Sequence, residues 1–135
     1  MNMKPSEVRA ALINHFYTNY SETPVEYDNV QLKEADKKNP FVSFNIRFTN
    51  GQTIIKGDGT ITRHSGVVFV DVRVPVLTSD IRAFEIADKV CEVMERSRIT
   101  YNGSSVTTDA SELGRPVSYN DEYYLLPISI PFRVT

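Results

Sequence analysis

The sequence predicts an α+β fold, a mainly antiparallel β-sheet with two α-helices packed on one face. Three observations lead to this prediction. Two segments repeat apolar residues at helical spacing, several others alternate apolar and polar residues, and 135 residues suffice for one domain with a real core. We therefore expect a single domain over residues 1–135.

Both predicted helices have an apolar stripe. The first spans residues 5–19, where Pro5 suits the first turn and Ser6 offers a cap. The second lies in "SDIRAFEIADKVCEVMERSR". Its stripe comprises Ile81, Phe84, Ala87, Val90, Cys91 and Met94, widened by Ile86 and Val93. We expect these stripes to cover the sheet.

The middle of the chain predicts strands. In "FVSFNIRFTNGQTIIKGDG" apolar residues alternate with polar ones up to Asn50-Gly51, a strong hairpin-turn signal. A hairpin there would place Phe48 opposite Thr53 and Ile46 opposite Ile55. The next strand, within "TRHSGVVFVDVRVPV", has a valine at every even position from 68 to 76, so one of its faces should be buried.

The final strand, "YYLLPISIPFRV", carries two prolines, which cannot donate to a ladder. Pro127 and Pro131 are both odd-numbered, and alternate residues of a strand direct their backbone groups to opposite neighbours. Both missing donors therefore lie on one side of the strand, while the even-numbered, apolar residues can still pair with a neighbouring strand on the other side. This pattern predicts an edge strand. The prolines could protect that edge from aggregation, or shape it for a defined neighbour in this chain or in another subunit.

The composition favours binding or assembly over catalysis. Fifteen basic and 17 acidic residues give a net charge of −2, so no electrostatic footprint for membrane or nucleic acid is expected. The single cysteine, Cys91, excludes an internal disulfide, and we expect it and His15 to be structural. No cluster has metal-ligand spacing, and we expect no enzyme activity, metal or cofactor.

The second half of the chain resembles the tail terminator-like proteins of long-tailed bacteriophages. The resemblance is carried by a strand, a proline-containing linker, an alanine-bearing helix, a variable loop and a final strand, which read "HSGVVFVDVRVPV", "IRAFEIADKVCEVMERSRI" and "YYLLPISIPFRV". The N-terminal segments "PSEVRAALINHFYTNY" and "PVEYDNV" also fit. Tyr123 and Tyr124 stand where the family often has a tryptophan.

The resemblance implies a virion protein, assembled in the host cytoplasm, that works through interface geometry. Such proteins form hexameric rings on the head-proximal end of the tail tube, stop tube growth and join the tail to the head connector. The expected partners are further copies of this chain, the tail tube protein and the connector or stopper protein. Neither a membrane nor sequence-specific nucleic acid is expected as a partner.

A ring needs two different patches on each subunit, and the outer sheet face is one candidate. The residues expected on this face are Phe69, Asp71, Arg73, Tyr123, Leu125 and Arg133. Two irregular segments, 31–39 and 99–122, are candidates for docking loops or for the lining of the channel. Their charged residues include Lys33, Lys37, Lys38, Asp109, Glu112 and Arg115.

Two alternatives remain open at this stage. One is another phage neck, head-completion or tube protein. The other is a small ligand-binding domain or enzyme with carboxylates around a cleft, since paired carboxylates can bind a hard cation or do acid–base work. The acids concerned are Asp109, Glu112, Asp121 and Glu122.

Overall fold

The structure, a computed structural model, describes residues 3–28, 32, 39–49, 52–56, 59–75, 80–119 and 123–134. The helices are α1 (Pro5–Asn19) and α2 (Asp80–Met94). The strands are β1 (Val25–Tyr27), β2 (Phe41–Phe48), β3 (Gln52–Lys56), β4 (Gly59–Arg63), β5 (Ser65–Pro75), β6 (Arg98–Tyr101), β7 (Ser104–Thr108), β8 (Glu112–Leu113), β9 (Val117–Tyr119) and β10 (Tyr123–Val134).

Eight of these strands form one sheet, and β3 and β4 form a separate two-stranded hairpin. The order across the sheet is β1-β2-β5-β10-β7-β6, and β8 and β9 also pair with β10. Strand β1 runs parallel to β2, whereas the other pairs in the sheet are antiparallel. The long strands β5 and β10 therefore form the centre, and their register orients the residues discussed below.

One face of the sheet, together with both helices, forms the hydrophobic core. The even residues of β5 and β10 point to this face, as in the fully buried register pair Val70 and Ile128. From α1, the Phe16 ring stacks on Phe44 of β2 with centroids 4.8 Å apart. Burying such a side chain fully contributes roughly 1.5–3 kcal/mol. The predicted α+β fold with both helices on one face is confirmed.

The hairpin predicted at Asn50-Gly51 is wrong in its pairing. Strand β2 pairs with β5, so that Ile46 lies opposite Val68 and Phe48 lies opposite Gly66, while β3 pairs with β4. The turn residues themselves lie outside the described part of the chain. Pairing with β5 places the inward side chains of β2 beside the row of buried valines, and this non-local burial overrides the local turn signal.

The orientation predicted for α2 is also partly wrong. Ile81 and Phe84 were expected in the buried stripe, but they are 65% and 41% exposed. The buried residues of this helix are Ala83, Ile86, Ala87, Val90 and Met94. Ala83 and Ala87 thus face the core, and the two larger side chains lie on the outer side of the helix.

Strand β10 lies in the middle of the sheet, so the predicted edge strand is wrong. It pairs with β5 from Tyr123 to Arg133, and on its other side three short strands succeed one another along its length. The two prolines fall in the gaps between the short strands. Pro127 lies between the residues paired with β9 and those paired with β8, and Pro131 lies between the β8 and β7 pairings.

The backbone groups of the two prolines nevertheless point to the same side of β10, as their odd numbering predicts. The carbonyl groups of Pro127 and Pro131 accept hydrogen bonds from Gly114 N and Asp109 N, at 2.8 and 2.9 Å, on the side of the short strands. The even residue Val134 instead donates to His64 O on the β5 side. Both missing donors thus lie on one side of β10, and the β5 ladder is not interrupted.

A close approach at Gly66 fixes one end of the central sheet. Gly66 pairs with Phe48 on β2 and with Phe132 on β10, and these two rings meet edge to face with centroids 5.8 Å apart. A Cβ atom at position 66 would lie 2.3 Å from Arg47 O and 2.7 Å from the Phe132 ring. The absence of a side chain is therefore what lets the three strands and the two rings pack here.

Candidate subunit interface

The odd residues of β2, β5 and β10 form the second face of the sheet, opposite the helices. The register brings the predicted interface residues onto this face: Phe69, Asp71 and Arg73 from β5, and Tyr123, Leu125 and Arg133 from β10. All of them are partly exposed or exposed. The structure therefore groups these residues as the alternation predicted, and their role at an interface stays a prediction.

One line of side chains crosses this face at the end where β10 begins. Val117 of β9 pairs with Leu125, Leu125 pairs with Arg73 of β5, and Arg73 pairs with Phe41 of β2. We call these four residues the outer row. Val117 is 50% exposed, whereas Phe41 is already buried and packs edge-on against Tyr123 at 5.9 Å. The outer row is thus apolar apart from one guanidinium near its centre.

A polar group adjoins the outer row. Arg73 Nε donates a hydrogen bond to Ser43 Oγ at 3.2 Å, and its guanidinium lies 4.0 Å from the Asp71 carboxylate. Burial raises the pKa of the Asp71 carboxyl, and the charge of Arg73 opposes that rise. Partial burial of a carboxylate carries a desolvation cost in the isolated subunit.

The other end of this face is held by two further contacts. The Arg47 guanidinium lies over the Phe69 ring, 5.6 Å from its centroid, and Arg133 forms an ion pair with Asp109. Both are partly exposed surface contacts, which contribute only modestly to stability. They orient three charged side chains on the surface without burying them.

The predicted docking segment after Tyr101 is a set of short strands joined by an ordered turn. Backbone bonds place Asp109, since it donates to Pro131 O and accepts from Arg96 N. Ser111 donates from both its backbone N–H and its hydroxyl group to the Glu95 carboxylate at the end of α2. These bonds lower the pKa of the Glu95 carboxyl. The exposed Glu112 and Arg115 follow this anchored turn.

The remaining charged candidates do not come together with these. Lys33, Lys37 and Lys38 lie outside the described residues, and so do Asp121 and Glu122. Among the residues that the structure describes, no group of three or more His, Cys, Asp or Glu side chains could hold a metal ion. Two surface depressions lie beside α1, and neither is lined by Asp109 or Glu112.

Two residues predicted to be structural are placed in the packing between elements. His15 Nε2 lies 2.8 Å from Val93 O and so connects α1 to α2. The Cys91 sulfur lies 3.1 Å from the Ser111 hydroxyl oxygen, which can accept a hydrogen bond from the thiol, and burial raises the pKa of the thiol. A thiol with a raised pKa is a poor nucleophile. Both residues support the packing of α2.

The exposed apolar residues are what sequence reasoning missed. Ile81 and Phe84 were expected in the core, and Val117 lies within the irregular segment 99–122. Leu113 is also largely exposed. The sequence did contain a signal for the observed orientation of α2, because Ala83 and Ala87 define an alternative and narrower apolar stripe on this helix.

Comparisons with known proteins bear on the fold alone. No protein-family model and no curated protein matches the chain. A solved structure with 16% sequence identity superposes with a TM-score of 0.78, covering 99% of this chain and 97% of its own. At that identity the likeness shows that the two chains share a fold. None of the described helices is both long and apolar enough to span a bilayer.

Proposed function

We propose that this chain is a tail terminator-like assembly protein that forms a ring, hexameric by the resemblance, at the head-proximal end of a phage tail tube. The ring ends tube growth and forms the joint to the head connector. It does this as a structural element of the virion, by shape and charge complementarity and without catalysis or a cofactor.

The outer sheet face is the observation that carries this proposal. Helices cover one side of the sheet, and the opposite side of β2, β5 and β10 presents the outer row beside a half-buried carboxylate. Apolar patches rimmed by polar groups are typical of protein–protein contact sites. Burying the exposed parts of Val117 and Leu125 contributes about 1 kcal/mol each to the free energy of association. Every subunit of a ring makes two such contacts, one with each neighbour.

The ends of the ring must differ, because one meets the tube and the other the connector. The anchored turn with Glu112 and Arg115 presents charge at a fixed position and suits such docking. The β3–β4 hairpin, which lies outside the main sheet, is a second element available for these contacts. Tube growth ends because the exposed end of the ring does not reproduce the surface that a further tube subunit recognises.

The test is the assembly state of the wild-type protein and of two variants. Wild-type protein at several concentrations, with and without tail tubes, is examined by light scattering and negative-stain microscopy. We expect rings, either free or on tube ends. Leu125→Asp and Arg73→Glu should remain folded but fail to form rings, because each places a carboxylate in the outer row.

Tyr17→Asp is the matched control, since Tyr17 is 74% exposed on α1, on the helix side of the sheet. This variant should assemble normally. Rings that form unchanged in both outer-row variants would remove this face from the interface. A wild-type protein that neither self-associates nor binds tube ends would contradict the proposed function itself.

A further inference from the structure

We infer that the second patch required by a ring is the exposed side of α2, and that Ile81 and Phe84 of one copy dock on the outer row of the next copy. This inference rests on the proposed function, because it specifies how the subunits of that ring meet. The occupant of the outer row is thus a second copy of this chain.

The exposed side of α2 is suited to dock on another surface. Ile81 and Phe84 stand three residues apart, so both project from the same side of the helix. Recognition by an amphipathic helix commonly uses two or more apolar anchors at this spacing. Glu85 follows Phe84 directly and is exposed, and its carboxylate lies 3.5 Å from the guanidinium of Arg82, which also contacts Glu22 at 2.9 Å.

The charges of the two surfaces are complementary. Helix α2 carries a net charge of −2, because four acidic residues, Asp80, Glu85, Asp88 and Glu92, stand against Arg82 and Lys89. The outward-facing residues of the three central strands carry +2, because Arg47, Arg73 and Arg133 stand against Asp71. The flanking strands add Arg98, Glu26 and Glu112, and Asp109 forms an ion pair with Arg133, so the positive excess is confined to the residues of the three central strands.

The closest match joins the acidic side of α2 to the single cation of the outer row. Arg73 lies between Leu125 and Phe41, and a docked Ile81–Phe84 pair would bring Glu85 towards its guanidinium. Opposite charges that meet at a contact set its register and orientation. The apolar anchors then bury the exposed parts of Val117 and Leu125.

Complementary defective variants test this pairing directly. The double variant Ile81→Ser with Phe84→Ser removes only the helix patch, and Leu125→Asp removes only the outer row. Each variant alone should lose self-association, while a mixture of the two retains one intact contact. We expect the mixture to form a one-to-one dimer that cannot grow further.

Nuclear magnetic resonance detects this dimer even when it is weak. Isotope-labelled Leu125→Asp protein, whose helix patch is intact, is titrated with the unlabelled double variant to about 1 mM, where weak complexes become populated. We expect chemical-shift changes concentrated in Asp80–Met94. The control is unlabelled Leu125→Asp protein, which lacks an intact outer row and should cause no change. If Leu125→Asp does not fold, Arg73→Glu replaces it.

The outcomes separate this inference from the proposed function. A mixture that stays monomeric and shows no shifts, while the wild-type protein still forms rings, overturns the pairing and leaves the ring in place. Shifts within α2 that the control does not cause support the pairing. Dimer formation by the mixture, together with a wild-type protein that never forms rings or caps tubes, supports the contact but contradicts the proposed function.

Discussion

Replacement of Gly66 by alanine tests the central packing of the sheet. The added Cβ would lie 2.3 Å from Arg47 O, a backbone atom that cannot rotate away, and 2.7 Å from the Phe132 ring. Relief requires β2 and β5 to separate and the Phe48–Phe132 ring contact to open. Overpacking of this kind costs about 1–3 kcal/mol, and we expect about 3 kcal/mol because a backbone atom is involved.

The assay is urea unfolding followed by circular dichroism, with Gly103→Ala as the matched control. Gly103 has φ +83° but no neighbour within 4 Å of an added Cβ, so its replacement costs only backbone strain of about 1–2 kcal/mol. We expect Gly66→Ala to unfold at a clearly lower urea concentration than Gly103→Ala. If Gly66→Ala is as stable as the control, the predicted clash and the β2–β5–β10 register at that end are wrong.

Two further predictions concern titrating groups. Asp71→Asn should stabilise the isolated subunit at neutral pH, because burial raises the pKa of the Asp71 carboxyl and so disfavours its ionised form in the folded state. The gain should vanish below its ordinary pKa of 3.8. An unchanged or lower stability at neutral pH would contradict this. Glu95 has a lowered pKa, so its contribution is present above the ordinary value of 4.5 and is lost as the pH falls through the folded-state pKa. Glu95→Gln should therefore speed hydrogen exchange of the Ser111 amide at neutral pH and make that exchange less dependent on acid. Equal exchange rates in both proteins would refute the anchoring role of Glu95.

Local patterns predicted elements well and strand partners poorly. The helix over 5–19 and the alternation of β2 and β5 follow from periodicity, which one segment contains by itself. The partner of β2 depends on which distant strand offers the larger apolar face, and Asn50-Gly51 carries no information about that. The hairpin signal was therefore overridden by the valines of β5.

The two prolines show the same limit more sharply. Parity correctly placed both missing donors on one side of β10. The conclusion that this side is an edge failed because three short strands, none longer than five residues, pair there and leave gaps at Pro127 and Pro131. Such short strands have too few residues to show alternation, so the sequence offered no clear sign of them.

The candidate interface was predictable in part for the same reason. The residues of one strand share a face by alternation, so Phe69, Asp71 and Arg73 could be grouped from the sequence. Their alignment with Val117 and Phe41 in the outer row needed the register of four strands. The exposure of Phe84 depends on which side of α2 faces the sheet, and the prediction from hydrophobicity alone placed the wrong residues on that side.

Disulfide trapping tests the central claim, that the outer row of one copy receives α2 of the next, most directly. A chain with Phe84→Cys and Leu125→Cys in a Cys91→Ser background is oxidised and separated on a denaturing gel without reductant. The account predicts a ladder of cross-linked species that ends at the closed ring, with single-cysteine variants giving at most dimers. A gel without a ladder, while both introduced thiols react with a small reagent, would contradict the account.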